Sequence, residues 1–64
     1  MPRILVGIKR GEELAQRFAN VSGKPTRVVV DLIGQVFVEL DTDGEAEVYR
    51  REGLTVRRFK PKGD

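Results

Sequence analysis

Residues 26–49, TRVVVDLIGQVFVELDTDGEAEVY, decide how the rest of the chain must be arranged. Apolar side chains alternate as Val28, Val30 and Leu32, and again as Val36, Val38 and Leu40. Alternation with period two, rich in β-branched residues, marks a strand. A connection through Ile33, Gly34 and Gln35 sets Leu32 against Val36, Val30 against Val38 and Val28 against Leu40. Residues directly opposite share a face, so all six then point to one side of the sheet. A two-residue turn at Ile33 and Gly34 would set Val28 against Glu39 and waste the pattern. A single bent strand with Gly34 at a bulge keeps the same parity and stays open as an alternative.

Thr42, Asp43 and Gly44 fit a three-residue hairpin loop, a type I turn closed by glycine in the left-handed region. Beyond it Leu40 faces Ala46, Val38 faces Val48 and Glu39 faces Glu47, and Phe37 pairs with Tyr49 on the second face. Upstream, residues 3–9 (RILVGIK) read as a strand with apolar residues on both faces, which suggests an inner position or a covering helix. Residues 11–21 (GEELAQRFANV) read as a helix with Leu14, Phe18 and Val21 on one stripe. Glu12 and Glu13 fall in its first turn, Gly23 caps it and Pro25 prevents continuation. Downstream, Glu52 and Gly53 read as a two-residue hairpin loop leading to a last strand over residues 54–59. That register brings Leu54 and Val56 to the second face with Phe37 and Tyr49, sets Glu47 against Arg58, and sends Phe59 to the main core.

These elements predict an α+β fold in one domain of 64 residues, in the order β-α-β-β-β-β. One helix packs on a curled antiparallel meander, which would close partway into an SH3-like or OB-like barrel or bury its second face in a partner. Curling alone would turn Phe37, Tyr49, Leu54 and Val56 into a second small core. Residues 60–64, with Pro61 and Gly63, read as a flexible basic tail. A chain this short supplies at most about 3–5 kcal/mol from its core, so dimerisation is one way to gain burial.

The chemistry the chain can perform is bounded by what it lacks. There is no histidine, cysteine or tryptophan, and Ser22 is the single serine. Nucleophilic triads and the usual zinc sites need those ligands, so no enzyme activity, metal or cofactor is expected. Asp41, Asp43 and Gly44 lack the spacing and the acidic twelfth residue of a calcium loop. Gly23-Lys24-Pro25 follows a helix where a phosphate-binding loop would precede one. Glu39 and Glu47 on an open face read as solvated charges. No apolar run approaches a membrane span, and Lys9 and Arg10 interrupt the N-terminal one, so the chain reads as soluble and cytoplasmic.

Charge points further. Residues 1–30 carry six basic and two acidic side chains, residues 31–47 six acidic and none basic, and residues 48–64 six basic and two acidic. Net charge +2 is too small to assign nucleic-acid binding alone, and pairing between neighbouring strands would account for the segregation. Arg27, Arg51 and Arg58 would otherwise ring Phe37 and Tyr49, an arrangement by which sheet surfaces stack bases and hold phosphates. With Arg50, Arg57 and Lys60 this gives a candidate DNA or RNA surface. The same face, centred on Phe37, Tyr49 and Val56, also fits a protein partner or a second copy of the chain, since interface centres favour Tyr and Arg.

Overall fold

The computed structural model describes residues 4–62 as β1 (Ile4–Val6), α1 (Ile8–Ser22), β2 (Thr26–Val30), β3 (Val36–Leu40), α2 (Glu45–Arg51) and β4 (Thr55–Phe59). The α+β class and the antiparallel sheet read from the alternation are both present. The sheet is open, in the order β1-β3-β2-β4, with β1 and β4 as edges and no barrel closure. The element order is β-α-β-β-α-β, because the strand expected over residues 45–51 is a helix.

The central hairpin keeps the parity of the alternation but not its register. Val28 lies opposite Val38, Val30 opposite Val36 and Thr26 opposite Leu40, two residues short of the expected pairing. A shift of two leaves every side chain on its expected face. Leu32 is the exception, because it falls outside β2 and into the turn. That turn is held by Asp31, whose backbone N–H donates to the Gln35 carbonyl (2.9 Å). Its Oδ1 accepts from the backbone N–H groups of Ile33 (3.0 Å) and Gln35 (2.8 Å). Gly34, at φ 87°, supplies the left-handed residue that closes a three-residue loop. The turn chemistry assigned to residues 42–44 thus operates here instead.

β1 is an edge strand of three residues rather than an inner one, and Ile8 has already left it for α1. The assignment of Arg3 to this strand lies outside the described residues. Helix α1 begins three residues before the expected position, so its first turn holds Lys9 and Arg10 and no acid. Its sheet-facing stripe is Gly11, Ala15 and Ala19, all buried, at intervals of four. Small residues let the helix lie close to the sheet. A Cβ on Gly11 would stand 3.1 Å from a Val6 methyl and 3.4 Å from one of Val36. Leu14 and Phe18 flank the stripe half-buried, while Val21 is exposed. Gly23 adopts the left-handed cap as expected, and its N–H donates to the Ala19 carbonyl at 2.9 Å.

The sequence EAEVYRR forms α2 for local reasons. Glu45 and Glu47 stand in the first turn and Arg50 and Arg51 in the last, each complementing the helix dipole. Ala46 and Tyr49, three apart, point to the sheet. At the C-terminus the Gly53 N–H donates to the Arg50 carbonyl (3.1 Å) and the Leu54 N–H to that of Tyr49 (2.9 Å). With Gly53 at φ 93° this is a Schellman cap, with Leu54 packing in the same cluster as Tyr49. The hairpin expected at Glu52 and Gly53 is this cap.

The helices cover opposite faces. Val28, Val36 and Val38 meet Ala15 under α1, joined by Val6, Phe18, Val30 and Phe59. Val29, Phe37 and Val56 meet Ala46 under α2, joined by Tyr49 and Leu54. β1 and β2 run in one sense with β3 between them, and β3 and β4 run in the other with β2 between them. The two crossovers step the same way across the sheet from strands of opposite sense. One shared hand therefore puts the helices on opposite sides, giving three layers.

Candidate functional site

Arg27 stands at the centre of the α2 face, opposite Glu39 on β3 and Arg58 on β4. Its residue is 1% exposed, so the guanidinium requires acceptors within the fold. Nε donates to Glu39 at 2.8 Å, and Nη2 donates to the same oxygen. Asp43 receives Nη1 at 2.6 Å and Nη2 at 3.1 Å, a fork-to-fork contact. Asp41 receives Nη1 at 3.3 Å, and its second oxygen accepts from Arg58 Nε. Tyr49 completes the cage from α2: its hydroxyl donates to Glu39 at 3.2 Å, and its ring centre lies 5.2 Å from Arg27 Cζ.

Burial opposes the charge on Arg27, but hydrogen bonds from its N–H groups to Asp43 and Glu39 outweigh it and raise its pKa above the ordinary value. The same bond to Arg27, aided by the Glu45 backbone N–H, holds the Asp43 carboxyl well below the usual carboxylate range. Arg27 therefore acts inside the molecule, fastening β3, the approach to α2 and, through Asp41, β4. The carboxylates of Glu39, Asp41 and Asp43 face it. Glu39 and Glu47 are not cross-strand partners, since Glu47 is on α2 and accepts from Arg50 at 2.5 Å.

The expected aromatic platform is covered. Phe37 and Tyr49 do meet, edge to face with centroids 6.2 Å apart, but from sheet to helix rather than from strand to strand. Phe37 is 5% exposed beneath α2, and Val56, beside Val29, is buried with it. Arg50 and Arg51 lie on the last turn of α2 and Arg58 on the same side of the sheet. Arg57 faces the other way and pairs with Glu12 of α1. Residues 60–62 run along α1: Gln16 Nε2 donates to the Lys60 carbonyl, and the Lys62 N–H donates to Asn20 Oδ1, each at 2.8 Å. The rest of the expected basic tail, residues 63–64, lies outside the described residues.

The three layers separate the charges. Among the described residues, seven cations (Lys9, Arg10, Arg17, Lys24, Arg57, Lys60 and Lys62) stand on the α1 side against Glu12 and Glu13. On the α2 side, again among the described residues, four arginines (Arg27, Arg50, Arg51 and Arg58) face six carboxylates (Glu39, Asp41, Asp43, Glu45, Glu47 and Glu52). Along α1 the exposed Arg10 and Arg17 are one heptad apart, and Lys24 continues that interval just past the cap. The spacing was present in the sequence. What hid it was the assignment of the basic surface to the last strands.

A second feature lies at the opposite end from the cage. Leu32 and Ile33, at the tip of the Asp31 turn, are 75% and 79% exposed. With Asp31 and Leu54 they line a shallow groove of about 290 Å³. No family model, curated protein or solved structure matches this chain.

Proposed function

We propose that this protein is a small non-enzymatic module that associates with nucleic acid through its α1 layer. One observation carries the reading: among the described residues seven cations stand with two carboxylates on the α1 side, while on the α2 side six carboxylates outnumber four arginines. A polarised distribution of this kind attracts a phosphate backbone to one face and orients the molecule on it. The contact differs from the aromatic sheet face expected from the sequence, because α2 occupies that face. Arg10, Arg17, Lys24 and the lysines of residues 60–62 are the contacting groups.

Fluorescence anisotropy on a labelled oligonucleotide, repeated across salt concentrations, tests this. Five phosphate contacts weaken binding roughly five-hundredfold between about 50 and 200 mM salt. Arg17→Ala and Lys24→Ala each lower the slope of log affinity against log salt by about 1, while Arg51→Ala on the α2 layer leaves it unchanged. Affinity indifferent to salt removes the reading.

A second reading rests on the exposed Leu32 and Ile33. They protrude beside the groove that they line, so knob and hole share one patch, and a twofold axis seats each copy in the other. The expected result is a concentration-dependent dimer by light scattering that Ile33→Asp abolishes. A wild-type chain that stays monomeric at high concentration excludes it.

A further inference from the structure

We infer that the ligand of the α1 layer is double-stranded nucleic acid contacted without regard to sequence; this rests on the reading just proposed. Single-strand binders without sequence preference use exposed aromatic rings on which successive bases stack. The aromatic residues of this chain are Phe18, Phe37, Tyr49 and Phe59, and none of them is exposed. Phe37 lies beneath α2, the Tyr49 ring faces Arg27, and Phe18 and Phe59 pack into the core on the α1 side. No ring is presented to a base beside the cations.

The amides that could read base edges from α1 are each held by one end within the fold. Gln16 Nε2 donates to Asn20 Oδ1 at 3.0 Å and to the Lys60 carbonyl, and Asn20 Oδ1 also accepts the Lys62 N–H. These bonds strap residues 60–62 to the helix and place Lys60 and Lys62 beside it. What remains outward along α1 is Lys9, Arg10 and Arg17 with Glu13 among them, and Lys24 follows just past the cap. Arg10 and Arg17 are about 10 Å apart along the axis at 1.5 Å per residue. A duplex presents a rigid backbone of higher charge density than a single strand, so it meets cations spaced along a helix without being straightened first.

The experiment is a competition. A labelled 20-base-pair DNA duplex bound to the full chain at low salt is displaced by unlabelled duplexes of unrelated sequence and by single strands of the same length. Unrelated duplexes are expected to compete within about twofold of one another, and single strands to require at least about fivefold more. Single strands that compete equally or better overturn the inference while leaving the electrostatic reading standing, as does one duplex that outcompetes the others by tenfold or more. Absence of any salt-dependent binding to the labelled duplex overturns both.

Discussion

A guanidinium moved out of water loses several kcal/mol of hydration, and Arg27 recovers it through its bonds to Glu39, Asp41 and Asp43 and its contact with the Tyr49 ring. The arrangement is all or nothing at this residue. Arg27→Met removes the cation and leaves Glu39 and Asp41 facing each other in a covered site, which should destabilise the fold by about 3–5 kcal/mol in urea unfolding. Arg27→Lys cannot reproduce five donors in a fixed fork and should recover only part of that loss. A wild-type midpoint in Arg27→Met would mean that the cage contributes nothing. The pH dependence has a definite sign. Because Arg27 holds the folded Asp43 carboxyl below its unfolded value, the stabilisation is complete above about pH 4 and declines as the pH falls below it. Asp43→Asn should therefore flatten the fall in stability on acidification, and an unchanged acid limb would remove Asp43 from the network. Arg27 was legible as a member of the second face; its burial was not. Nothing in TRVVV states that a helix will close over the strand.

That helix is the element the alternation misread. In residues 45–51 Ala46 and Val48 alternate with Glu45, Glu47 and Tyr49, which satisfies a strand template, while Ala46 and Tyr49 satisfy a helical one. Seven residues are too few for periodicity to decide between them. The ends decide it. Asp43 Oδ1 accepts the Glu45 N–H at 3.0 Å, acids precede arginines, and Gly53 followed by Leu54 is the signature of a Schellman cap. Those signals were readable, but a hairpin reading claimed the same glycines. Gly53→Ala forces a side chain into φ 93° and places its Cβ 3.4 Å from Leu32. It should cost about 1–2 kcal/mol in thermal or chemical unfolding, and a neutral result would deny the cap its role. On α1 the small stripe makes the opposite demand. Gly11→Val pushes branched methyls against Val6, Val28 and Val36 and should destabilise by roughly 1–3 kcal/mol. A stability equal to wild type would mean that the helix need not approach so closely. The β2–β3 pair was recovered with its faces intact because period two tolerates a slip of two. Leu32 became exposed through that same slip.

At the scale of the molecule, two crossovers of one hand turn the segregation of charge along the sequence into a segregation across space. Apart from Asp31 in the β2–β3 turn, the acidic residues of the block 31–47 enter β3, the cage and the first turn of α2, whereas α1 and the strapped residues 60–62 collect cations. Sequence alone showed the blocks but not which of them would share a face, since that depends on where α2 lies. Among the described residues no helix is long and apolar enough to cross a membrane. Under the nucleic-acid reading proposed above, the same polarity would bring a ligand to one layer and leave the other untouched. Following backbone amide shifts by NMR while titrating a DNA duplex at low salt locates that contact residue by residue. Shifts are expected along α1, at Lys24 and over residues 60–62, and they should fade as salt is added. Shifts confined to α2 or to the Leu32–Ile33 turn, or none at all, would contradict the assignment of the α1 layer as the binding surface.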